Sequence, residues 1–179
     1  GFPDAHFVED SAVCFREGAV IMRPGTPTRL KEPLEMAPVL AQFYDDILWI
    51  EAPATIDGGD VLVTETEVLV GRSARTNAEG IAALAKAAAT WGYRTREVIT
   101  PPGVLHFKTD CSLLDEHTIY ATPLLAGSGC FDGYRVILTP AGEEASANLI
   151  RFNDAVIMPD GFPKAAARLE REGYKVVRI

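Results

Sequence analysis

Four stretches of this chain carry side chains that could do chemistry. In Thr55-Ile-Asp-Gly-Gly-Asp60, two carboxylates flank two glycines just ahead of the apolar run Val61–Val63. The glycines permit a tight turn or a close backbone approach to a ligand, which is what an acid placed at the mouth of a strand needs. A Gly-Gly turn that merely enters a hairpin explains the stretch equally well on its own. In PDAHFVED, Asp4 and Asp10 are six apart and share one face of an extended chain, with Glu9 on the other. That set suits a cationic ligand such as a guanidinium, against the commoner reading of a solvated edge. The loops RPGTPTR and GRSARTN supply Arg23, Arg29, Arg72 and Arg75. Arginine's planar fork matches a carboxylate, so two arginines from separate loops could hold the head group of an amino acid, although surface solvation accounts for most single ones.

The fourth stretch, GVLHFKTDC, sets His106 five residues before Cys111. Five is odd, so on one continuous strand the two side chains would face opposite sides of the sheet. A histidine among Val104, Leu105 and Phe107 is more often a hydrogen-bonded core residue than a base, and a cysteine in apolar surroundings is more often inert filler. Spacing therefore argues against a dyad. No GxGxxG or GxxxxGK[ST] loop is present to hold phosphate.

Short apolar runs that alternate with helical patterns must position these residues. Hairpins are expected at Ser11–Phe15 with Ala19–Met22, and at Val61–Thr64 with Val68–Val70. Two more are expected at Ser112–Leu114 with Thr118–Ala121, and at Asn148–Arg151 with Ala155–Met158. Single strands fall at Ile47–Glu51, Tyr93–Ile99, Tyr134–Leu138 and Lys175–Ile179. The spacing predicts a helix over Asn77–Trp91, capped by Asn77 and closed by Gly92, and another over Pro163–Glu172. Glu32–Tyr44 also has helical spacing, but Pro33 and Pro38 predict a late start or a kink. The order hairpin, helix, strand is clear twice, at Val61 to Ile99 and at Asn148 to Ile179. Between them the Gly-rich GSGCFDG stands where a helix would be. Repeated ββαβ units imply a quasi-symmetric ring, because each is too small to bury its own apolar faces.

Composition narrows the function. The 179 residues carry 17 basic and 25 acidic side chains for a formal charge of −8, with no basic stripe to track phosphates, so nucleic acid is not an expected partner. Apolar runs fall far short of a membrane span, and the N-terminus has no signal-peptide pattern. Cys14, Cys111 and Cys130 form neither a disulfide framework nor a zinc spacing, which makes a reducing cytoplasm the default. The chain opens on GFPD without an initiator Met and stops on the strand-like KVVRI, as a piece of something longer would.

Taken in order, FPDAHFVED, RPGTPTR, IDGGDVLV, GRSARTNAEG, VLHFKT and ANLIRFNDAVIMPDGFP resemble the dimethylarginine dimethylaminohydrolase family of the guanidine-modifying superfamily, over practically the whole chain. The resemblance implies an α/β pentein fold, a pseudo-five-fold propeller of ββαβ units that is incomplete here, with residues 1–179 as a single partial catalytic domain. It implies hydrolysis of the guanidino group of an Nω-methylated arginine, giving citrulline and an alkylamine through a covalent cysteine intermediate, with no metal or organic cofactor. By motif, His106 and Asp57 carry the catalytic roles: His106 protonates the leaving amine and then activates water. Asp57 and Asp10 bind the guanidinium nitrogens with Glu9 beside the substrate, Asp4 takes the α-amino group, and Arg29 and Arg75 clamp the carboxylate.

The family's nucleophilic cysteine follows a strand like KVVRI, and its first unit precedes FPD. The resemblance therefore implies that this chain is the middle two-thirds of an enzyme and inactive alone, with open strand edges that favour a homodimer. The expected partner is a small molecule, without nucleic acid or membrane. Arginine deiminase and amidinotransferase are alternatives within the superfamily. A catalytically dead module that only binds arginine-like ligands is the alternative outside catalysis.

Overall fold

The computed structural model describes residues 2–179. The chain lays down the same unit four times: an antiparallel hairpin, a helix, and a third strand parallel to the second. The first unit is β1 (Ala12–Cys14), β2 (Ala19–Ile21), α1 (Glu32–Leu40) and β3 (Ile47–Trp49). The second is β4 (Val61–Val63), β5 (Glu67–Arg72), α2 (Ala78–Ala89) and β6 (Arg94–Ile99). The third is β7 (Cys111–Asp115), β8 (Thr118–Ala121), α3 (Pro123–Ala126) and β9 (Arg135–Leu138). The fourth is β10 (Ile150–Phe152), β11 (Ala155–Met158), α4 (Pro163–Arg171) and β12 (Lys175–Arg178).

The repeat that the sequence shows clearly only twice is thus present four times. The third copy is hidden because its helix is a single turn: Thr122 accepts from the Leu125 amide, Pro123 takes the first helical position, and the Gly-rich stretch then follows. In α1 the expected late start does not occur. Pro33 falls in the first turn, where its missing N–H has no partner to lose, and the helix runs from Glu32 with Pro38 inside it.

In every unit the middle strand is paired on both sides and is the most buried. Ala19, Val20 and Ile21 of β2 and Val68, Leu69 and Val70 of β5 are all fully inaccessible. Helix α2 covers these strands with Ile81, Leu84 and Ala88, spaced three and four apart on one stripe, which meet Val20, Met22, Ile56, Val68 and Val70 in one core. A second core joins Leu114, Tyr120, Ile137, Met158 and Leu169. The chain divides into two compact parts, one ending at Ile99 and one running Thr100–Ile179, each holding two of the repeats. Among the described residues no helix is long and apolar enough to cross a membrane.

Asn77 does more than start α2. Its Oδ1 accepts from the Gly80 amide at 2.7 Å and from the Thr55 amide at 2.9 Å, and its Nδ2 donates to the Pro53 carbonyl at 3.2 Å. It therefore ties the helix to the loop that leads into Asp57. Asn77→Ala is expected to lower stability by about 1–2 kcal/mol in urea titrations, at the upper end for a lost cap because a loop is released with it.

Candidate functional site

Six of the seven residues the motifs single out lie in the first compact part, and His106 lies in the second. In the first part the segment before β1 is a turn followed by a 3₁₀ turn, Val8–Asp10, and not an extended strand. The face-sharing argument for Asp4 and Asp10 does not apply to that backbone. The 3₁₀ turn itself buries Asp10 and leaves Glu9 exposed, with Asp4 half-buried.

Arg29 ends a second 3₁₀ turn, Pro27–Arg29, and is only 5% exposed. Its Nη1 donates to Asp10 at 2.6 Å and its Nε to Glu32 at 2.8 Å, while Nη2 donates to the Phe7 and Asp4 carbonyls at 3.1 and 3.3 Å. Burial alone would lower the pKa of this guanidinium. The hydrogen bonds and charges of Glu32 and Asp10 outweigh burial and push it above its ordinary range. The sequence reading gives Arg29 the task of gripping a ligand carboxylate, whereas here its fork grips carboxylates and carbonyls of its own chain. Glu32 was not among the expected site residues. Its signal was the i, i+3 spacing from Arg29, which also occurs on any exposed helix.

Asp57 is fully buried and extended, immediately ahead of the 3₁₀ turn Gly58–Asp60. Its Oδ1 accepts from the Gly25 amide at 2.8 Å, and the Oδ1 of Asp10 accepts from the Gly59 amide at 3.0 Å. Two glycines make these approaches sterically available. A Cβ on Gly58 would collide with the Glu9 carbonyl oxygen, and one on Gly25 with the backbone of Arg75. The outcome is that Asp10 and Asp57 each bring a carboxylate oxygen within 4.8 Å of the other. Two like charges at that separation repel by about 3.5 kcal/mol at an effective dielectric constant of about 20, and a cation placed between them offsets the penalty.

Arg75 stands at the edge of this pair. Its Nη1 is 3.8 Å from Asp57 Oδ2 and also donates to the Thr26 hydroxyl oxygen, while a third of the side chain remains exposed. Arg23 and Arg72 do not join it: Arg23 donates to the Ala54 carbonyl at 3.1 Å, and Arg72 pairs with Glu97 on the exposed surface. Asp60, adjacent to the pair in sequence, is committed to Ser73 and Thr76, each donating at 2.6 Å.

In the second part His106 is extended and half-buried. It immediately precedes the 3₁₀ turn Phe107–Thr109, and its carbonyl accepts from both the amide and the hydroxyl of Thr109. The stretch to Cys111 is therefore not one strand, since β7 begins only at Cys111, and the parity argument loses its premise. Cys111 opens that strand. The residue is fully buried, its thiol donates to the Phe107 carbonyl, and burial pushes its pKa well above the usual thiol range.

Comparison with known proteins adds to this geometry. A family model described as arginine deiminase matches residues 2–155. The N(G),N(G)-dimethylarginine dimethylaminohydrolase of Pseudomonas aeruginosa is 34% identical over 179 residues, covering 99% of this chain and 70% of that protein. The chain belongs to the dimethylarginine dimethylaminohydrolase family. The Streptomyces coelicolor protein of the same name is 33% identical, with 99% of this chain and 67% of that one covered. A solved structure of the Pseudomonas aeruginosa family member, complexed with citrulline, superposes with a TM-score of 0.95 at 34% identity over 99% of this chain and 70% of its own. The fold is accordingly the α/β pentein type of repeated ββαβ units.

Two outcomes test this reading of a family site. Arg29→Met should cost about 3–5 kcal/mol of stability in denaturant titrations, because it leaves Asp10 and Glu32 buried without a counter-charge, while Arg75→Met should cost under about 1 kcal/mol. Iodoacetamide applied to the native protein at neutral pH should modify exposed Cys14 and spare Cys111, whose raised pKa leaves little thiolate. Peptide mass mapping reads both positions.

Proposed function

We propose that this chain supplies the substrate-binding residues and the general acid/base of a hydrolase that acts on the guanidino group of Nω-methylated L-arginine and yields citrulline and an alkylamine. The observation that carries the reading is the buried Asp10–Asp57 pair with Arg75 at its rim: carboxylates for a guanidinium, and an arginine in reach of an α-carboxylate. Relatives at 33–34% identity named for dimethylarginine hydrolysis support the substrate class, and so does a relative solved with citrulline.

In this mechanism a cysteine thiolate attacks the guanidinium carbon. The C–N bond to the methylated nitrogen breaks, and His106 supplies the proton that lets dimethylamine leave. His106 then takes a proton from water, whose oxygen adds to the same carbon, and the thiolate departs to leave citrulline. Asp10 and Asp57 orient the two guanidinium nitrogens, with Glu9 beside the substrate and Asp4 on its α-amino group. Arg75 is the main clamp on the carboxylate. Arg29, whose fork already binds Asp10 and Glu32, contributes chiefly by fixing Asp10. None of Cys14, Cys111 and Cys130 is the nucleophile, so the 179 residues alone bind ligand without turning it over.

Arginine deiminase chemistry is the second reading, favoured by the description of the matching family model. It differs only in releasing ammonia. Citrulline formation from Nω,Nω-dimethyl-L-arginine and from L-arginine, measured side by side, separates the two. Dimethylarginine should be preferred, and a preference for unmethylated arginine would move the assignment to the deiminase. The 179-residue chain is expected to bind L-citrulline in calorimetry yet form none from either substrate, and turnover by that chain would refute the exclusion of its cysteines. In the length of chain that does form citrulline, His106→Ala should reduce kcat by about 10²–10⁴-fold with little change in KM. Near-normal kcat would remove His106 from its role.

A further inference from the structure

Asp60 is fully buried, and no step of the proposed reaction uses it. Its Oδ2 receives two hydroxyl hydrogen bonds of 2.6 Å, one from Ser73 and one from Thr76. A hydroxyl has one proton to give, so both side chains turn their lone pairs away from Asp60 and toward backbone donors. Ser73 Oγ accepts from the amides of Arg75 and Thr76 at 3.0 and 3.2 Å, and Thr76 Oγ1 accepts from the amide of Asp57 at 3.2 Å. One carboxylate thus sets the polarity of two hydroxyls and, through them, anchors three backbone N–H groups. Two of those groups belong to Asp57 and Arg75, to which the reading above gives the guanidino group and the carboxylate of the ligand. On its other side, the Arg75 loop is closed by Gly25, which lies flush against the Arg75 backbone and donates its amide to Asp57.

We infer that Asp60 is a positioning residue: by orienting Ser73 and Thr76 it holds the Arg75 loop against Asp57, and thereby lets the site distinguish ligands that carry an α-carboxylate from those that do not. This rests on the proposal that Arg75 binds the carboxylate. Without Asp60 either hydroxyl is released to present its proton to the amides, donor against donor, and the loop loses its register. Asp60→Asn keeps a carbonyl oxygen where both hydroxyls donate, whereas Asp60→Ala removes the acceptor altogether.

The test is calorimetric binding of L-citrulline and of N-carbamoylputrescine, which is citrulline without its carboxylate, to the wild-type chain and to the variants. Wild type should prefer citrulline by about ten- to hundredfold, the range for a hydrogen bond to a charged group. Asp60→Ala should lower that preference to within about threefold of unity while N-carbamoylputrescine binds as before, and Asp60→Asn should restore most of it. Ser73→Ala, which keeps Asp60 but removes the acceptor of the Arg75 amide, should also reduce the preference and serves if Asp60→Ala fails to fold. An unchanged preference in Asp60→Ala or Ser73→Ala, or an equal loss for both ligands, overturns the inference. A wild-type preference near one refutes the role of Arg75 itself, and the inference falls with it.

Discussion

The guanidinium of Arg29, shared between the carboxylates of Asp10 and Glu32, is the interaction around which the loops of the first compact part are built. All three residues are at most 5% exposed. A buried charge survives only with its partners in place, so this triad commits the segment before β1, the turn Pro27–Arg29 and the start of α1 to one arrangement. With one oxygen of Asp10 fixed by Arg29, the other meets the Gly59 amide, and that contact draws the Asp57 loop in. Folding and site assembly are therefore the same event in this region.

Its chemical consequence is a pair of carboxylates held close, with Arg29 on Asp10 and Arg75 at 3.8 Å from Asp57. Each is fixed by a glycine amide from a different loop, Gly25 for Asp57 and Gly59 for Asp10, so neither can relax away from the other without losing a hydrogen bond. Under the proposed function such a pair is set for a cationic ligand before the ligand arrives, which is where preorganised electrostatics contributes most. Arg75 balances the arrangement at the rim, where its partial exposure leaves the fork able to turn toward an anionic group.

Much of this was legible in the sequence, and what was not has physical causes. Alternating apolar runs and the Asn77 and Gly92 caps locate the four hairpins and α2 because those signals are local. The one-turn helix Pro123–Ala126 is too short for periodicity to register. At PDAHFVED and GVLHFKTDC the period-2 argument presupposes strands, and in each case a 3₁₀ turn intervenes. The acidic and arginine motifs were visible as residue types, but burial was not. Nothing in RPGTPTR distinguishes an arginine that faces Asp10 and Glu32 from one that faces solvent, because its partners are 19 residues before it and three after it. Likewise Asp60 reads as half of a pair with Asp57, and only the fold commits it to Ser73 and Thr76.

In the proposed function the Asp10–Asp57 pair is where a guanidino ligand lands. Amide NMR reads it most directly, since the N–H groups of Gly59 and Gly25 each donate to one member of the pair. Titrating the ¹⁵N-labelled chain with L-arginine should shift these two resonances together, saturating at one ligand per chain. Saturable binding that leaves both resonances unmoved would contradict the account.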